Sequence, residues 1–339
     1  MGGLKGVTGH ADLEVTGQGP IRGARANGLS SHGESDGVSK SSPPSGSRSR
    51  TKGSHAGGRR SGRDLNHRLL AALGRITERD RQLCRLLEDH RVLTTAQLAE
   101  VGFSGERRAR TRLSELYALE LLERFRPRTG ANLAAFHWVL GPLGAALVAA
   151  EAGVDVAELD WRRGLIHDLA ASQRLAHLVG ANGFFTALLR SARSRPGCRL
   201  EEWWSERRCG REWGELVRPD GYGVWVEPGK SLPFLLEHDN GTERLTRLAE
   251  KLDGYAKLAA AAGHPNWVLF TFPTPRREID ARRVLAHHRV PVATATRAPG
   301  FAPDEAVWLP IGDRGPRLCL VQLVGFPLDA WRATPPPHP

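Results

Sequence analysis

The sequence predicts an α/β protein with two folded parts. The first has three helices and a β-hairpin, and the second is a larger layer of strands and helices. Three observations carry this expectation. Between Asp64 and Leu140, three helical stretches precede two short strand-like runs. From Leu200 on, runs rich in Val, Leu, Phe and Trp alternate with helical segments, the pattern of a sheet covered by helices. The chain has 339 residues, enough for about two domains.

Residues Met1 to about Gly62 are rich in Gly, Ser, Arg and Pro, with almost no large apolar side chains. Such a segment cannot bury enough surface to offset its ordering entropy. Residues 1–63 are therefore expected to be a disordered, mildly basic tail, and the Pro-rich residues 329–339 a second tail. Order is expected from about Asp64. Thr77 can cap a helix holding Leu83, Leu86 and Leu87, with Asp80 three residues on, close to a capping box. Thr94-Thr95 caps a short helix holding Leu98 and Ala99. Gly102 to Gly105 reads as a turn, and a third helix is expected from Glu106 to Leu119. Leu121 to Arg126 reads as a strand, Pro127 to Asn132 as a turn, and Ala135 to Leu140 as the returning strand.

Three helices followed by a hairpin is the order of a winged helix-turn-helix, expected here over residues 64–150. At about 100° per residue, Ala109, Leu113 and Leu116 form the inner face of the third helix, and Arg107, Arg110, Thr111 and Ser114 point outward. A recognition helix needs such a face to reach base edges and phosphates. With Arg108 and Arg112, four arginines fall in this short span. The wing would offer Arg124, Arg126 and Arg128 to the backbone. The expected DNA-binding set is thus Arg107, Arg108, Arg110, Thr111, Arg112, Ser114, Arg126 and Arg128, and the expected partner is double-stranded DNA. A solvated charged face, or a protein-interaction module, is the other reading of the same pattern.

The formal net charge of +11 suits that partner. Cys84, Cys198, Cys209 and Cys319 are widely scattered with no C-x-x-C pair, which argues against a zinc site or a disulfide framework. Cys84 lies among leucines and reads as a small buried residue. No signal-type apolar core opens the chain, and the run Ala145 to Ala150 is too short to span a bilayer. The expectation is a cytoplasmic protein with no membrane partner.

The second part is expected over residues 155–328. A helix from Leu143 leads into a linker near Asp160, and one long helix is expected from Trp161 to about Arg193, with Gly180 and Gly183 as points of weakness. Strands are expected near Leu200–Trp204, around Val224 and Leu235, at Trp267–Phe272, and at Val307–Leu309 with Leu318–Val324. Helices are expected near Thr242–Ala262 and Arg276–His288. Pro219-Asp220 opens one strand and Glu237 and Asp239 end the next. Residues two apart on a strand share a face, so Glu237 and Asp239 point the same way. On the following helix, Leu245, Leu248, Leu252 and Tyr255 form the inner face. Lys251 lies roughly 80° off its centre, while Lys257 points outward.

This arrangement resembles the restriction-endonuclease-like fold, whose pattern is PD-(D/E)xK. Asp220 and Glu237 match its acids, Asp239 stands where the lysine is usual, and Lys251 matches a lysine moved to the next helix. The resemblance implies catalytic roles for Asp220, Glu237 and Lys251, and a Mg²⁺ ion held by Asp220 with Glu237 or Asp239. The other reading is a solvated acid pair, with Lys251 as an ion-pair partner of Asp239. His167 could face the site from the long helix, and Tyr255 reads as packing. No phosphate loop, G-x-S-x-G, H-E-x-x-H or dinucleotide fingerprint is present.

From Thr77 to Val324 the chain also resembles the replication-relaxation family of actinobacterial plasmids and integrated mobile elements. The resemblance rests on Thr94-Thr95-Ala96-Gln97-Leu98-Ala99, on Arg218-Pro219-Asp220-Gly221, on Leu236 to Glu243, and on Lys251-Leu252 with Tyr255. It implies a role in plasmid replication or in DNA topology during replication or transfer, with replication or transfer proteins as further partners. Two readings stay open: a DNA-binding factor whose second domain is a non-catalytic scaffold, and a metal-dependent endonuclease or nickase.

Overall fold

The computed structural model describes residues 55–129, 132–286 and 290–327, with side chains from 64 on except 128–133. The elements are α1 (His55–Ala72), α2 (Glu78–His90), β1 (Leu93–Thr94), α3 (Thr95–Gly102), α4 (Glu106–Ala118), β2 (Leu122–Phe125), β3 (Arg128–Thr129), β4 (Asn132–Leu133), β5 (His137–Leu140) and α5 (Pro142–Ala152). Then come α6 (Leu165–Ala171), α7 (Leu175–Ser194), β6 (Arg199–Ser205), α8 (Glu206–Trp213), β7 (Gly221–Glu227), β8 (Lys230–His238), α9 (Leu245–Ala262), β9 (Trp267–Phe272), α10 (Pro275–Leu285), β10 (Val292–Thr296) and β11 (Leu309–Pro310). The protein is mixed α/β. The expected tails over residues 1–54 and 329–339 lie outside the described residues. Helix α1 begins at His55, earlier than the composition suggests, and its buried Leu69 and Ala72 join the core.

Two capping boxes set the starts of α2 and α3. Thr77 Oγ1 accepts from the Asp80 N–H while the Asp80 carboxylate accepts from the Thr77 N–H. Thr94 and Gln97 repeat the arrangement. Each satisfies N–H groups that a helix start leaves orphaned. Helix α4 turns Ala109, Leu113 and Leu116 inward, all fully buried against Leu83, Leu87 and Leu98. A small antiparallel sheet, in the order β1-β5-β2, closes this core, with Leu122 opposite Leu140 and Phe125 opposite His137.

The larger sheet has six strands in the order β11-β10-β9-β8-β7-β6. Strands β6, β7 and β8 form an antiparallel meander, and β8, β9 and β10 run parallel through crossovers carrying α9 and α10. Strand β9 is buried at every position, as a central parallel strand covered on both faces should be. One face packs Phe234, Leu236 and Leu269 with Phe184, Phe185 and Leu188 of α7. The other packs Leu235, Val268 and Phe270 with Leu248, Leu252 and Tyr255 of α9. Pro233 is tolerated in β8 because pairing with β9 begins only at Phe234.

Three expectations are corrected. The long helix is two helices, broken at Ser172–Arg174, where Ser172 Oγ accepts from the Arg174 N–H; Gly180 and Gly183 lie inside α7. Leu318–Val324 is no strand: Leu318 makes a single bridge to Trp308, and Leu320–Gly325 is a 3-10 helix. Strand β10 and helix α8 are not expected from the sequence; β10, Val-Ala-Thr-Ala-Thr, carries no large apolar side chain beyond Val292.

Helix α7 fastens the first part to the second. Gln97 donates to the Val179 carbonyl (2.7 Å), Asn182 to the Val92 carbonyl (2.9 Å), and Arg193 to the Glu100 (2.9 Å) and Phe103 (2.7 Å) carbonyls. Thr186 donates to Glu100 at 2.7 Å. No helix among the described residues is long and apolar enough to cross a membrane.

Candidate functional site

Asp220 stands immediately before β7, and the register that places Gly221 opposite Leu236 brings it beside Glu237 at the end of β8. The Asp220 N–H donates to the Leu236 carbonyl at 3.0 Å. Its carboxylate accepts from two sides: His177 Nε2 on α7 lies 2.9 Å from Oδ1, and the His238 N–H donates to Oδ2 at 2.7 Å. Glu237, 2 % exposed, is held from α9. Lys251 Nζ donates to Oε2 at 2.8 Å and the Tyr255 hydroxyl to Oε1 at 2.5 Å. Lys251 and Tyr255 are four apart on one helical flank, so one turn of α9 carries both donors. Lys251 also lies 3.4 Å from Glu243, and Lys257 is exposed.

The electrostatics follow from burial. Burial and the Asp220 carboxylate push the Glu237 carboxyl up to about 7, against the pull of Lys251 and Tyr255. Burial would raise Asp220 too, but the His177 imidazole, the His238 N–H and Lys251 outweigh it and hold Asp220 below its usual range. Burial works against the His177 imidazolium, yet Asp220 and more distant acids lift its pKa above the ordinary histidine value. His238 is the reverse case: burial, Arg297 and His177 bring it down to about 3, so its ring is neutral. That ring lies under Gly180, where an added Cβ would collide with Nε2; only glycine lets α7 pass here.

The structure brings Asp220, Glu237 and Lys251 together as the sequence suggests. It places Asp239 elsewhere. Both Asp239 carboxylate oxygens accept from Arg277 of α10, at 2.7 and 3.0 Å, so Lys251 pairs with Glu237 and not with Asp239. Two partners were missed. His177, not His167, reaches the site, because the break before α7 resets the helical phase. Tyr255 is both a core side chain and a donor to the buried acid.

Each oxygen of Asp220, Glu237 and Asp239 accepts from one protein donor, which leaves a further lone pair on each. Among the described residues no group of three His, Cys, Asp or Glu side chains is placed to hold a metal ion. In this arrangement the carboxylates' charge is balanced by Lys251, His177 and Arg277.

The expected DNA-facing residues divide. Arg107, Arg108, Arg110, Thr111 and Ser114 are exposed on α4. Arg107 has no side-chain partner among the described residues; Arg108 donates to Ser104 (2.8 Å) and Arg110 to Glu106 (2.6 Å). Arg112 turns inward instead. It bonds both oxygens of the buried Asp80, Glu115 and the Arg75 carbonyl, so it serves the fold. In the hairpin, Arg126 is exposed with its guanidinium 3.8 Å from the centre of the Phe136 ring, and Arg124 stacks over Phe136 and Tyr117. The Arg128 side chain lies outside the described residues.

A family model described as Replication-relaxation matches residues 84–268, more than half of the chain. No curated protein and no solved structure matches it.

Proposed function

The chain belongs to the replication-relaxation family, and on that premise we propose that it is a cytoplasmic DNA-binding protein of plasmid or mobile-element replication or relaxation. We read α2, α3 and α4 with the β1-β5-β2 sheet as a winged helix-turn-helix, in which α4 enters the major groove and the β2–β5 hairpin is the wing. The observation that carries this is the exposed Arg107, Arg108 and Arg110 on a helix whose opposite face is fully buried. Such a face offers positive charge to phosphates on a fixed support.

The second part is read as a restriction-endonuclease-like layer whose acid–lysine set braces the sheet instead of cutting DNA. The pairing of Glu237 with Lys251, of Asp220 with His177 and of Asp239 with Arg277 supports this reading. Replication or transfer proteins would be its partners at the plasmid.

The test is a gel-shift salt series on duplex DNA with wild type and Arg107→Ala/Arg110→Ala. The double variant should bind more weakly, with the log–log salt slope reduced by about 0.9 for each phosphate no longer neutralised. Unchanged affinity and slope would remove α4 as the DNA reader.

A second reading, a metal-dependent endonuclease or nickase, has one observation in its favour. Asp220 lies close enough to Glu237 on the adjacent strand to raise its pKa, the juxtaposition a cation would relieve. Nicking of supercoiled plasmid with Mg²⁺ or Mn²⁺ by wild type, abolished in Asp220→Ala, would replace the scaffold reading.

A further inference from the structure

An open cleft of about 390 Å³ lies on the α7 side of Asp220. Arg91, Arg174, Arg207, Arg211, Arg218 and His177 line it, with Leu169, Leu175 and Leu178 as its apolar part. Its acids are already engaged. Glu206 takes Arg174 at 2.6 Å, Asp160 takes Arg207 at 3.0 Å, and Asp89 accepts from Ser205 at 2.8 Å. Arg91, Arg211 and Arg218 are left with no side-chain partner among the described residues. Three guanidinium groups without a carboxylate partner thus belong to residues lining one cleft, the chemistry an anion would meet.

Two independent observations mark the cleft as more than a solvated edge. Arg91 has φ 67° and ψ −47°, a γ-turn closed by the Val92 N–H donating to the His90 carbonyl at 2.8 Å, a rare and strained conformation. An arginine is held there, beside the cleft, and strain of this kind concentrates where ligands bind. The cleft lining also contains two buried polar atoms with no hydrogen-bond partner, His90 Nδ1 and Arg207 Nε. Buried polar groups are nearly always satisfied. Glycines make room as well: a Cβ on Gly214 would meet Arg218 Nε at 3.2 Å, so the Arg218 side chain lies across the end of α8.

We propose that this cleft holds a single strand of nucleic acid by its phosphates. The ligand is anionic because the unpaired charge is guanidinium. It is one strand wide because a cleft of about 390 Å³ falls in the range of small-ligand pockets, roughly 300–1,000 Å³, and a duplex does not enter it. A basic groove of this kind is what single-strand binders use to track the phosphate backbone. The proposal rests on the reading of the chain as a DNA-binding protein, and it adds a second binding surface, for an unpaired segment, separate from α4.

The experiment is fluorescence anisotropy on the full chain with a labelled single-stranded oligonucleotide, a blunt duplex and a mononucleotide, across a salt series. Arg211→Ala/Arg218→Ala should weaken single-strand binding tenfold or more and lower its salt slope by about 0.7 for each phosphate released from an arginine. Duplex binding should be unchanged. Arg211→Gln/Arg218→Gln should behave the same way, and matching melting temperatures would show that the fold is kept. Single-strand affinity and slope that survive both double variants would overturn the proposal, as would their disappearance in Arg107→Ala/Arg110→Ala alone. A mononucleotide that binds as tightly as the oligonucleotide would reassign the cleft to a free nucleotide. Wild type that binds no duplex would instead remove the α4 reading, and the single-strand arm would still report on the cleft.

Discussion

Lys251 Nζ lies 2.8 Å from Glu237 Oε2, and the two residues come from the flank of α9 and the end of β8. The pair ties a crossover helix to the strand it follows. It also decides the chemistry of the acid: Lys251 gives Glu237 a counter-charge that would otherwise have to come from outside the fold.

Lys251→Met should expose that dependence through pH. Glu237 is raised to about 7, so its folded form holds a proton more firmly than its unfolded form, and its contribution falls as pH rises from about 4.3 through 7. Without Lys251 the fall should steepen. Near pH 5 the variant should resemble wild type. At pH 8 it should be about 2–3 kcal/mol less stable, the low end for a broken buried pair because Lys251 is 29 % exposed. Urea unfolding at the two pH values makes the comparison, and equal losses at both would contradict it.

His177→Gln addresses the other acid. The raised His177 pKa contributes stability that is full below about 6.5 and is lost as pH rises through the folded value. The lowered Asp220 pKa contributes stability that is full above about 3.9 and is lost as pH falls through its folded value. The variant should therefore lag wild type most near pH 5–6, by about 1.5–3 kcal/mol, with the gap narrowing toward pH 9. Melting temperatures from pH 5 to 9 would show it. A gap that widens with pH would mean the pair is not charged.

Arginines on α4 should separate by role. Arg112→Ala strands the Asp80 carboxylate, which is 1 % exposed, and should cost about 3–5 kcal/mol. Arg107→Ala, at an exposed position without a partner, should change stability by less than about 0.5 kcal/mol and act on DNA binding alone. Chemical denaturation beside a gel shift distinguishes them; a stable Arg112→Ala protein with weakened DNA affinity would place Arg112 back on the DNA-facing surface.

Calorimetric titration with Mn²⁺ should give no saturable heat at the acid cluster, since Lys251 and His177 already supply the counter-charge of Glu237 and Asp220. Binding that disappears in both Asp220→Ala and Glu237→Ala would show that the donors give way to a cation.

What could be read from the sequence was local. Thr77 with Asp80 is a capping signal three residues apart and Thr94 marks the next helix start, and both caps form. Helical phase put Ala109, Leu113 and Leu116 inside and Lys251 on the flank of its helix, and the resemblance to the PD-(D/E)xK pattern joined Lys251 to Glu237. The unreadable features depend on distant partners or on one local break. Arg112 turns inward for Asp80, 32 residues away, and Asp239 turns to Arg277, 38 away. His177 reaches Asp220 only because the chain breaks at Ser172, and an unbroken helix gives a different phase. Tyr255 looked purely apolar because its ring packs in the core while its hydroxyl alone reaches the acid.

The seam along α7 has a thermodynamic consequence. Gln97, Asn182, Thr186 and Arg193 bond across it to carbonyls and a carboxylate that water would otherwise have to solvate. Pulling α3 and β1 away from α7 would uncover all of these groups at once. Melting is therefore cooperative across the seam: differential scanning calorimetry of the whole chain should record one endotherm, and residues 64–150 cut out alone should melt well below it.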